Sequence, residues 1–299
     1  MNKAQAWINL LRLSNTPTII SNVMVGLGLG MVAHKLQWSD SSFSPNFTPL
    51  VTLVLITIAL LSAYFGGLVL NDVIDVEHDK KHRPLRPIPM GIIPIKQATL
   101  IGSALLVLPV LIAICTEVRA AYFMIALSSC ILIYTFLHRY LLSSLIFMGV
   151  CRGLVYVVAF SAFDVAFQAK PLLIFAVGIT WYTAVLTLIA KNEHTHNKTK
   201  RWLVLLLLPA AFVPAMIYYT QFQLIFIFLA LLIFTTWIAV TFVIFQLTSK
   251  SVHGIHAMLA GFCLLDFVYL SIIGELNIAI ISGICFLFTL AAQRKILGT

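Results

Sequence analysis

Long runs of apolar residues recur along the whole chain, separated by short polar breaks. A helix that crosses about 30 Å of hydrocarbon needs about 20 predominantly apolar residues. The runs predict ten membrane spans, at 15–34, 50–70, 97–115, 119–137, 143–163, 171–190, 202–220, 222–247, 254–273 and 276–292. The last four are the least sharply bounded, so the pattern is compatible with nine or ten spans. The predicted fold is an all-α, polytopic membrane protein.

The composition supports the same class. Hydrophobic residues make up 61% of the chain and charged residues 10%, with a mean hydropathy of +1.03. In soluble domains about a quarter of the residues are charged, so an ordinary soluble globular protein is excluded. Because no linker or low-complexity segment divides the apolar runs, residues 1–299 are predicted to form a single transmembrane domain.

The distribution of basic residues predicts the orientation. If the N-terminus is cytoplasmic, the inner segments hold fifteen Lys and Arg residues, and the outer ones hold only Lys35, Arg119 and Lys170. This asymmetry is typical of the positive-inside rule and places the N-terminus and the loop after the second span in the cytoplasm. The net charge of +9 follows from the same bias. It therefore indicates membrane lipids and anionic substrates as partners, and no nucleic acid.

The segment from Leu70 to Gly91, LNDVIDVEHDKKHRPLRPIPMG, concentrates acidic and basic residues between two spans. Asp72, Asp75 and Asp79 are spaced three and four apart, which places them on one face if the second span continues as a helix. Three carboxylates on one face repel one another unless a cation lies among them. Oxygen ligands at the mouth of a membrane bundle suit Mg²⁺, and Asn71 adds a neutral polar group at the same level.

Two arginines follow the acidic residues in a short loop that contains several prolines. The guanidinium groups of Arg83 and Arg86 have the geometry to hold phosphate oxygens. An isolated aspartate at the end of a span is ordinarily an interface charge. Three aspartates followed by two arginines instead predict a site for a diphosphate and magnesium.

These residues resemble a known family. Asn71, Asp72, Asp75 and Asp79 match the NDxxDxxxD motif of the UbiA superfamily of intramembrane prenyltransferases, and KKHRPLRPIPMGIIPIKQA resembles the loop that follows it. The segment LLRLSNTPTIISNVMVG is similar to that family's opening Arg-containing helix, and YTFLHRYLLSSLIFMGVCRGLVYV to its fourth and fifth spans.

The resemblance implies nine transmembrane helices around a central cavity that opens at a cytoplasmic cap. It also implies that an isoprenyl group passes from an isoprenyl diphosphate to a small, often aromatic, acceptor. In this family magnesium is bound at two Asp-rich motifs, so the resemblance makes Asp72, Asp75 and Asp79 the metal ligands. From its place in the first segment, Asn15 is expected to line the substrate pocket.

The second family motif is degenerate in this chain. In LIAKNEHTHNKTKRW, Lys191 is in place, but Asn192, Thr195 and Thr199 stand where the family has aspartates, which leaves Glu193 as the nearby carboxylate. The loop is similar to that of the bacterial EboC-like branch, which implies a bacterial inner membrane.

Two interpretations of the degenerate motif follow. In the first, one magnesium site suffices for catalysis by Asp72, Asp75, Lys191 and Glu193, and Lys191, Asn192 and Glu193 contact the diphosphate directly. In the second, the protein binds or transports a lipid diphosphate without turning it over.

Polar residues inside the apolar runs give further expectations. An unpaired guanidinium in the middle of the fifth run costs several kcal/mol, so Arg152 is predicted to face the interior and to bind a carboxylate or the diphosphate. Asp266 is predicted to pair structurally with a neighbouring helix, and Asn22 to form a hydrogen bond between helices.

Overall fold

The computed structural model describes residues 2–34, 48–163, 169–192, 198–218, 224–247 and 252–295. All regular structure in these ranges is helical. The α-helices are α1 Lys3–Leu10, α2 Thr16–His34, α3 Pro49–Ile74, α4 Val76–His82, α5 Ile95–Thr116, α6 Val118–Leu137, α7 Leu141–Ser161, α8 Ala169–Asn192, α9 Pro209–Tyr218, α10 Leu224–Leu247, α11 Val252–Ile273 and α12 Leu276–Lys295. Two 3₁₀-helices, Leu13–Asn15 and Lys198–Leu207, complete the described part.

Nine of the described helices are long and apolar enough to cross a membrane: α2, α3, α5, α6, α7, α8, α10, α11 and α12. They coincide with nine of the ten apolar runs and confirm the predicted all-α, integral membrane protein. Local sequence sets several helix ends. Pro49 begins α3, where its missing N–H is not needed, and Gly274 adopts a φ of 94° in the turn between α11 and α12.

The prediction of one continuous helix over 202–220 is wrong. The segment consists of the 3₁₀-helix Lys198–Leu207 and the short helix α9, each ten residues long. Pro209 begins α9 and Pro214 lies within it, and proline cannot supply the backbone N–H that a continuous helix needs. Rises of about 2.0 and 1.5 Å per residue give the two pieces a combined length of about 35 Å, enough for one pass.

Contacts along α8 show that this broken segment runs back beside it. Trp181 Nε1 donates to the carbonyl oxygen of Leu206 at 2.8 Å, and the Tyr218 ring lies 5.8 Å from that of Phe175, near the start of α8. In the part of the chain that the structure describes, the bundle therefore has nine long helices and one broken seventh pass, which reconciles the counts of nine and ten.

Basic residues gather at the end of the bundle where Asp72 lies, which we call the Asp72 end. Arg12 lies 3.6 Å from Asp72, Arg139 lies 3.5 Å from Asp75, and Lys191 bonds to the adjacent residue His138. The positive-inside rule assigns Arg12, Arg139 and Lys191 to the same side of the membrane, and they lie at the same end of the bundle. That this side is the cytoplasm stays a prediction.

Helix α2 lies at the centre of the bundle and approaches α7 closely at Gly26. A Cβ atom added to Gly26 would lie 2.6 Å from the Ala159 Cβ and 2.7 Å from the Tyr156 carbonyl oxygen. At Gly30, one turn further along, the nearest atom would be 3.9 Å away, in Phe160. Small residues let helices pack closely in a membrane, and Gly26 is where α2 and α7 require one.

A matched pair of substitutions tests this close contact. Gly26→Ala is expected to destabilise the protein by about 1–3 kcal/mol, because overpacking forces the two helices apart. Gly30→Ala is expected to be neutral or to stabilise by up to about 1 kcal/mol, since alanine favours the helix. The measurement is thermal unfolding of both variants in detergent, and equal shifts for the two would contradict the packing described here.

Candidate functional site

Two buried aspartates share one arginine at the Asp72 end. Arg86 Nη1 lies 2.7 Å from Asp79 Oδ2 and 3.2 Å from Asp72 Oδ1. Asp79 is 1% exposed and Asp72 is 6% exposed, so both carboxylates depend on this guanidinium for charge compensation. The loop after α4 therefore folds back over the end of α3, and it places Arg86 between two carboxylates that are seven residues apart.

A second arginine reaches the same carboxylate from the N-terminal segment. Arg12 Nη2 lies 3.6 Å from Asp72 Oδ1. Arg12 has a φ of 46°, and it is the only non-glycine residue with positive φ among those that the structure describes. This conformation costs about 1–2 kcal/mol and turns the chain sharply between α1 and the 3₁₀-helix Leu13–Asn15. The strain falls at the position where the arginine meets Asp72.

Asp75 is oriented differently from its two neighbours. The one-face expectation assumed a continuous helix, but α3 ends at Ile74 and Asp75 adopts φ −82° and ψ 1° before α4 begins. Its Oδ2 lies 3.0 Å from His138 Nε2, and its Oδ1 lies 3.5 Å from Arg139 Nη2. Each oxygen retains a further lone pair, so these contacts leave acceptor capacity for a metal. The assignment of Asp75 as a metal ligand stays a prediction.

His138 links Asp75 to the end of α8. Its Nδ1 lies 2.8 Å from the carbonyl oxygen of Thr135, and its Nε2 faces the Asp75 carboxylate. Both ring nitrogens thus face oxygen atoms, one of the backbone and one of the Asp75 side chain. Lys191 Nζ donates to the carbonyl oxygen of His138 at 2.6 Å. The retained lysine of the degenerate motif therefore lies beside the Asp75 contacts.

The predicted substrate-binding residues lie in different settings. Asn15 is half-buried, and its Oδ1 accepts a hydrogen bond from Gln293 Nε2 at 3.5 Å. Arg83 is exposed at the end of α4. Asn192 ends α8, but its side chain and the whole of Glu193 lie outside the described residues. The roles of Asn192 and Glu193 therefore stay predictions from sequence.

The donor set is compatible with Mg²⁺ completed by a substrate. Within the described ranges, no three carboxylate, imidazole or thiol side chains converge as a ready-made metal cage. Asp72 and Asp79 do converge, and the buried Oδ1 of Asn71 has no hydrogen-bond partner among the described residues. Magnesium is commonly held by one or two carboxylates together with waters and substrate phosphates, so these oxygens fit it.

The interior polar residues confirm the expectations for Asp266 and Asn22 and the interior position of Arg152, but the described partners of Arg152 are neutral and not the predicted carboxylate. Arg152 lies inside the bundle, where it donates to Asn22 and Thr18 of α2. Asp266 pairs with neighbouring helices by accepting hydrogen bonds from Ser21 and Asn22 of α2 and from Tyr156 of α7. Asn22 forms the expected hydrogen bonds between helices.

Sequence reasoning missed two residues of the Asp72 end as site residues. Arg12 was counted only among the inner basic residues, although it lies in the segment that resembles the family's Arg-containing helix. His138 lies in the segment that resembles the family's fourth and fifth spans, and its contact with Asp75 spans 63 positions. A single sequence carries no local signal for such a pairing.

Comparisons with known proteins place the chain in a family. Residues 23–259 match the model of the UbiA prenyltransferase family. The digeranylgeranylglyceryl phosphate synthase of Sulfolobus acidocaldarius is 41% identical over 69 residues, which are 23% of this chain and 24% of that protein. The protein of the same name from Saccharolobus solfataricus is 31% identical over 116 residues, 39% of this chain and 36% of that protein. The chain thus spans 24% and 36% of the lengths of these two curated relatives.

A solved structure shows the same fold. The UbiA homolog from Archaeoglobus fulgidus bound to GPP and Mg²⁺ has a TM-score of 0.56 at 13% identity, over 96% of this chain and 99% of that chain. At this identity the likeness concerns the fold alone. The family model, in contrast, covers most of the sequence, including Asp72, Asp75, Asp79, Arg83 and Arg86, whereas Arg12 precedes the matched residues. The chain therefore belongs to the UbiA prenyltransferase family.

Proposed function

We propose that this protein transfers an isoprenyl group from a magnesium-bound isoprenyl diphosphate to a small acceptor within the membrane. The observation that carries the proposal is the convergence of Asp72 and Asp79 on Arg86, with Arg12 beside Asp72. Carboxylates and guanidinium groups side by side can hold a metal diphosphate, because the former bind the cation and the latter bind the phosphate oxygens. Asp72, Asp75 and Asp79 are the proposed metal ligands.

The residues at the Asp72 end have free capacity for the diphosphate. Arg86 and Arg12 each have five N–H donors, and the observed ion pairs use only part of them. Lys191 donates one of its three N–H groups to the carbonyl oxygen of His138 and can offer the others to a phosphate oxygen. Arg83, which is exposed, can approach the same group from solvent. Magnesium, when bound, neutralises negative charge on the leaving diphosphate.

The reaction breaks the carbon–oxygen bond between the allylic carbon and the diphosphate, and the electron pair leaves with the diphosphate. The acceptor forms the new bond to that carbon and loses a proton. Arg12, Arg86 and Lys191 stabilise the negative charge that develops on the leaving oxygen, the type of electrostatic contribution that is usually the largest. The apolar helices keep water away from the allylic carbon until the acceptor reacts.

The names of the relatives bear on the acceptor. The relatives are digeranylgeranylglyceryl phosphate synthases, and this similarity supports the hydroxyl of a glycerol phosphate as the acceptor. It argues against the aromatic acceptor that the resemblance implies. We therefore propose a polyol phosphate derivative as the acceptor. We also place the Asp72 end at the cytoplasmic face, as the positive-inside rule predicts.

The test is turnover by the purified full-length protein in lipid nanodiscs. Geranyl and geranylgeranyl diphosphate are supplied with a geranylgeranylglyceryl phosphate or with 4-hydroxybenzoate, in Mg²⁺ or in EDTA. We expect prenylated product and released diphosphate in Mg²⁺, with at least about a hundredfold loss in EDTA. Binding of the diphosphate without product for either acceptor would favour the alternative, a non-catalytic lipid-diphosphate binding or transport protein.

A further inference from the structure

A buried polar network connects α2, α7 and α11 in the interior of the bundle. The Asp266 carboxylate accepts hydrogen bonds from Ser21 Oγ at 2.5 Å, from Asn22 Nδ2 at 2.8 Å and from the Tyr156 hydroxyl. Asp266, Asn22 and Tyr156 are all fully buried. Three donors from two helices hold this carboxylate. The carboxylate in turn fixes the orientation of the Asn22 amide, which is one of the three donors.

The other end of the Asn22 amide holds an arginine. Arg152 Nη1 donates to Asn22 Oδ1 at 2.5 Å, and Arg152 Nη2 donates to Thr18 Oγ1 at 3.0 Å. The guanidinium carbon also lies 4.3 Å from the centre of the Phe262 ring, a cation–π contact. Asp266 therefore positions Arg152 through Asn22, without touching it.

Arg152 has unused hydrogen-bonding capacity inside the membrane domain. A guanidinium carries five N–H donors, and two of them are used by the bonds that Arg152 makes to described residues. A donor left unsatisfied in a buried setting costs about 1–3 kcal/mol. The remaining donors therefore favour a group rich in acceptors, and an anionic group satisfies them best.

The guanidinium of Arg152 lies on the inner side of α7. The residue is half-buried, and it follows the lipid-facing Val150 of α7 by two positions, about 160° around the helix. Its guanidinium lies against α2 and α11, on the opposite side from Val150. A group bound at the Arg152 guanidinium would therefore lie on the α2 and α11 side of α7, away from the lipid-facing surface.

The position of Arg152 separates it from the proposed diphosphate site. Asn22 lies six residues beyond Thr16, which begins α2 at the Asp72 end, so it is about 9 Å deeper along the helix. Tyr64 lies near Asn15 and interacts electrostatically with both Arg12 and Arg152. A metal diphosphate held at Asp72 and Arg86 would leave Arg152 free for a second anion.

We propose that Arg152, held by Thr18 and Asn22, binds the anionic group of the acceptor, a phosphate monoester or a carboxylate. Asp266 and Tyr156 are positioning residues that act through Asn22. The inference rests on the proposed prenyl transfer and adds a recognition site for the acceptor. It predicts that acceptors with an anionic group are preferred over neutral analogues of the same size.

The test uses the full-length protein in nanodiscs and compares Arg152→Gln and Arg152→Lys with the unmodified protein. The acceptors are geranylgeranylglyceryl phosphate and the corresponding neutral geranylgeranylglycerol. In Arg152→Gln we expect the KM for the phosphate acceptor to rise at least about tenfold, since a charge-assisted hydrogen bond is worth about 1.5–3 kcal/mol. The KM for the prenyl diphosphate should change much less than the KM for the phosphate acceptor, and the preference for the phosphate acceptor over the neutral one should fall. Arg152→Lys should restore part of the affinity because it keeps the charge.

Asp266→Asn tests the positioning role. This variant keeps the size of the side chain and removes the charge, and we expect it to raise the KM for the phosphate acceptor while leaving the KM for the prenyl diphosphate unchanged. A purely structural role would instead lower the unfolding temperature and affect both substrates equally. That result, or an unchanged preference for the phosphate acceptor in Arg152→Gln, would overturn the inference.

A binding measurement keeps the inference testable if no product forms. Geranylgeranylglyceryl phosphate alone, without prenyl diphosphate, is titrated against each variant by thermal shift and calorimetry. We expect binding to the unmodified protein and at least about a tenfold weaker Kd in Arg152→Gln. If the unmodified protein forms no product but binds geranylgeranylglyceryl phosphate through Arg152, that result would contradict the proposed function and support this inference. Equal binding by both proteins would contradict the inference alone.

Discussion

Asp72→Asn is expected to lower prenyl transfer at least about a hundredfold, with little change in the amount of folded protein. Asp72 is buried, and its Oδ1 is the atom at which Arg12 and Arg86 meet. The amide keeps the shape of the side chain but removes the negative charge that attracts a cation. The diphosphate then leaves without full charge compensation, so the loss should appear in kcat as well as in the Mg²⁺ concentration needed for half-maximal turnover.

Glu77→Gln is the matched control for this substitution. Glu77 lies on α4, five residues after Asp72, and is exposed. A hydrogen bond from Lys80 at 2.7 Å lowers the pKa of Glu77, so it is a charged carboxylate on the same segment. Its neutralisation should leave turnover within about twofold, since water screens an exposed ion pair. Comparable losses for the two variants would indicate a general charge effect, and retention of a tenth of the activity in Asp72→Asn would exclude Asp72 as an essential metal ligand.

The membrane architecture was predictable because it depends on the length and polarity of local segments. Nine apolar runs became the nine long helices of the described part. The seventh pass was predicted as a continuous helix because hydropathy is insensitive to the difference between a 3₁₀-helix and an α-helix. The prolines at positions 209 and 214 were a visible signal of the break.

The candidate site was predictable in its residue types but not in its pairings. The motif identified the three aspartates and Arg86, whereas the partners of Asp75 depend on the packing of α3 against the end of α6. Helical spacing alone placed the three carboxylates on one face. The helix break at Asp75 instead directs the Asp75 carboxylate to His138. No local sequence pattern predicts this contact.

Arg86→Gln is expected to destabilise the metal-free protein by about 3–5 kcal/mol, because it removes the guanidinium that compensates two buried carboxylates. Among the described residues, Asp79 has no other Lys or Arg partner, and His78 Nδ1 lies 3.9 Å from its Oδ1. The measurement is thermal unfolding in detergent with EDTA. The neighbouring substitution Arg83→Gln is the control for stability, because Arg83 is exposed and makes no ion pair with the described aspartates.

Magnesium should stabilise Arg86→Gln more than the unmodified protein. In the unmodified protein Arg86 already compensates Asp72 and Asp79, so a cation that binds there competes with it. Without the guanidinium the same carboxylates bind Mg²⁺ more tightly, and a ligand at a hundred times its Kd adds about 2.7 kcal/mol of stability. The shift in unfolding temperature between EDTA and saturating Mg²⁺ should therefore be larger in Arg86→Gln than in Arg83→Gln or the unmodified protein. Equal shifts in all three would mean that Mg²⁺ does not bind at the carboxylates that Arg86 bridges, and would place the metal elsewhere at the Asp72 end.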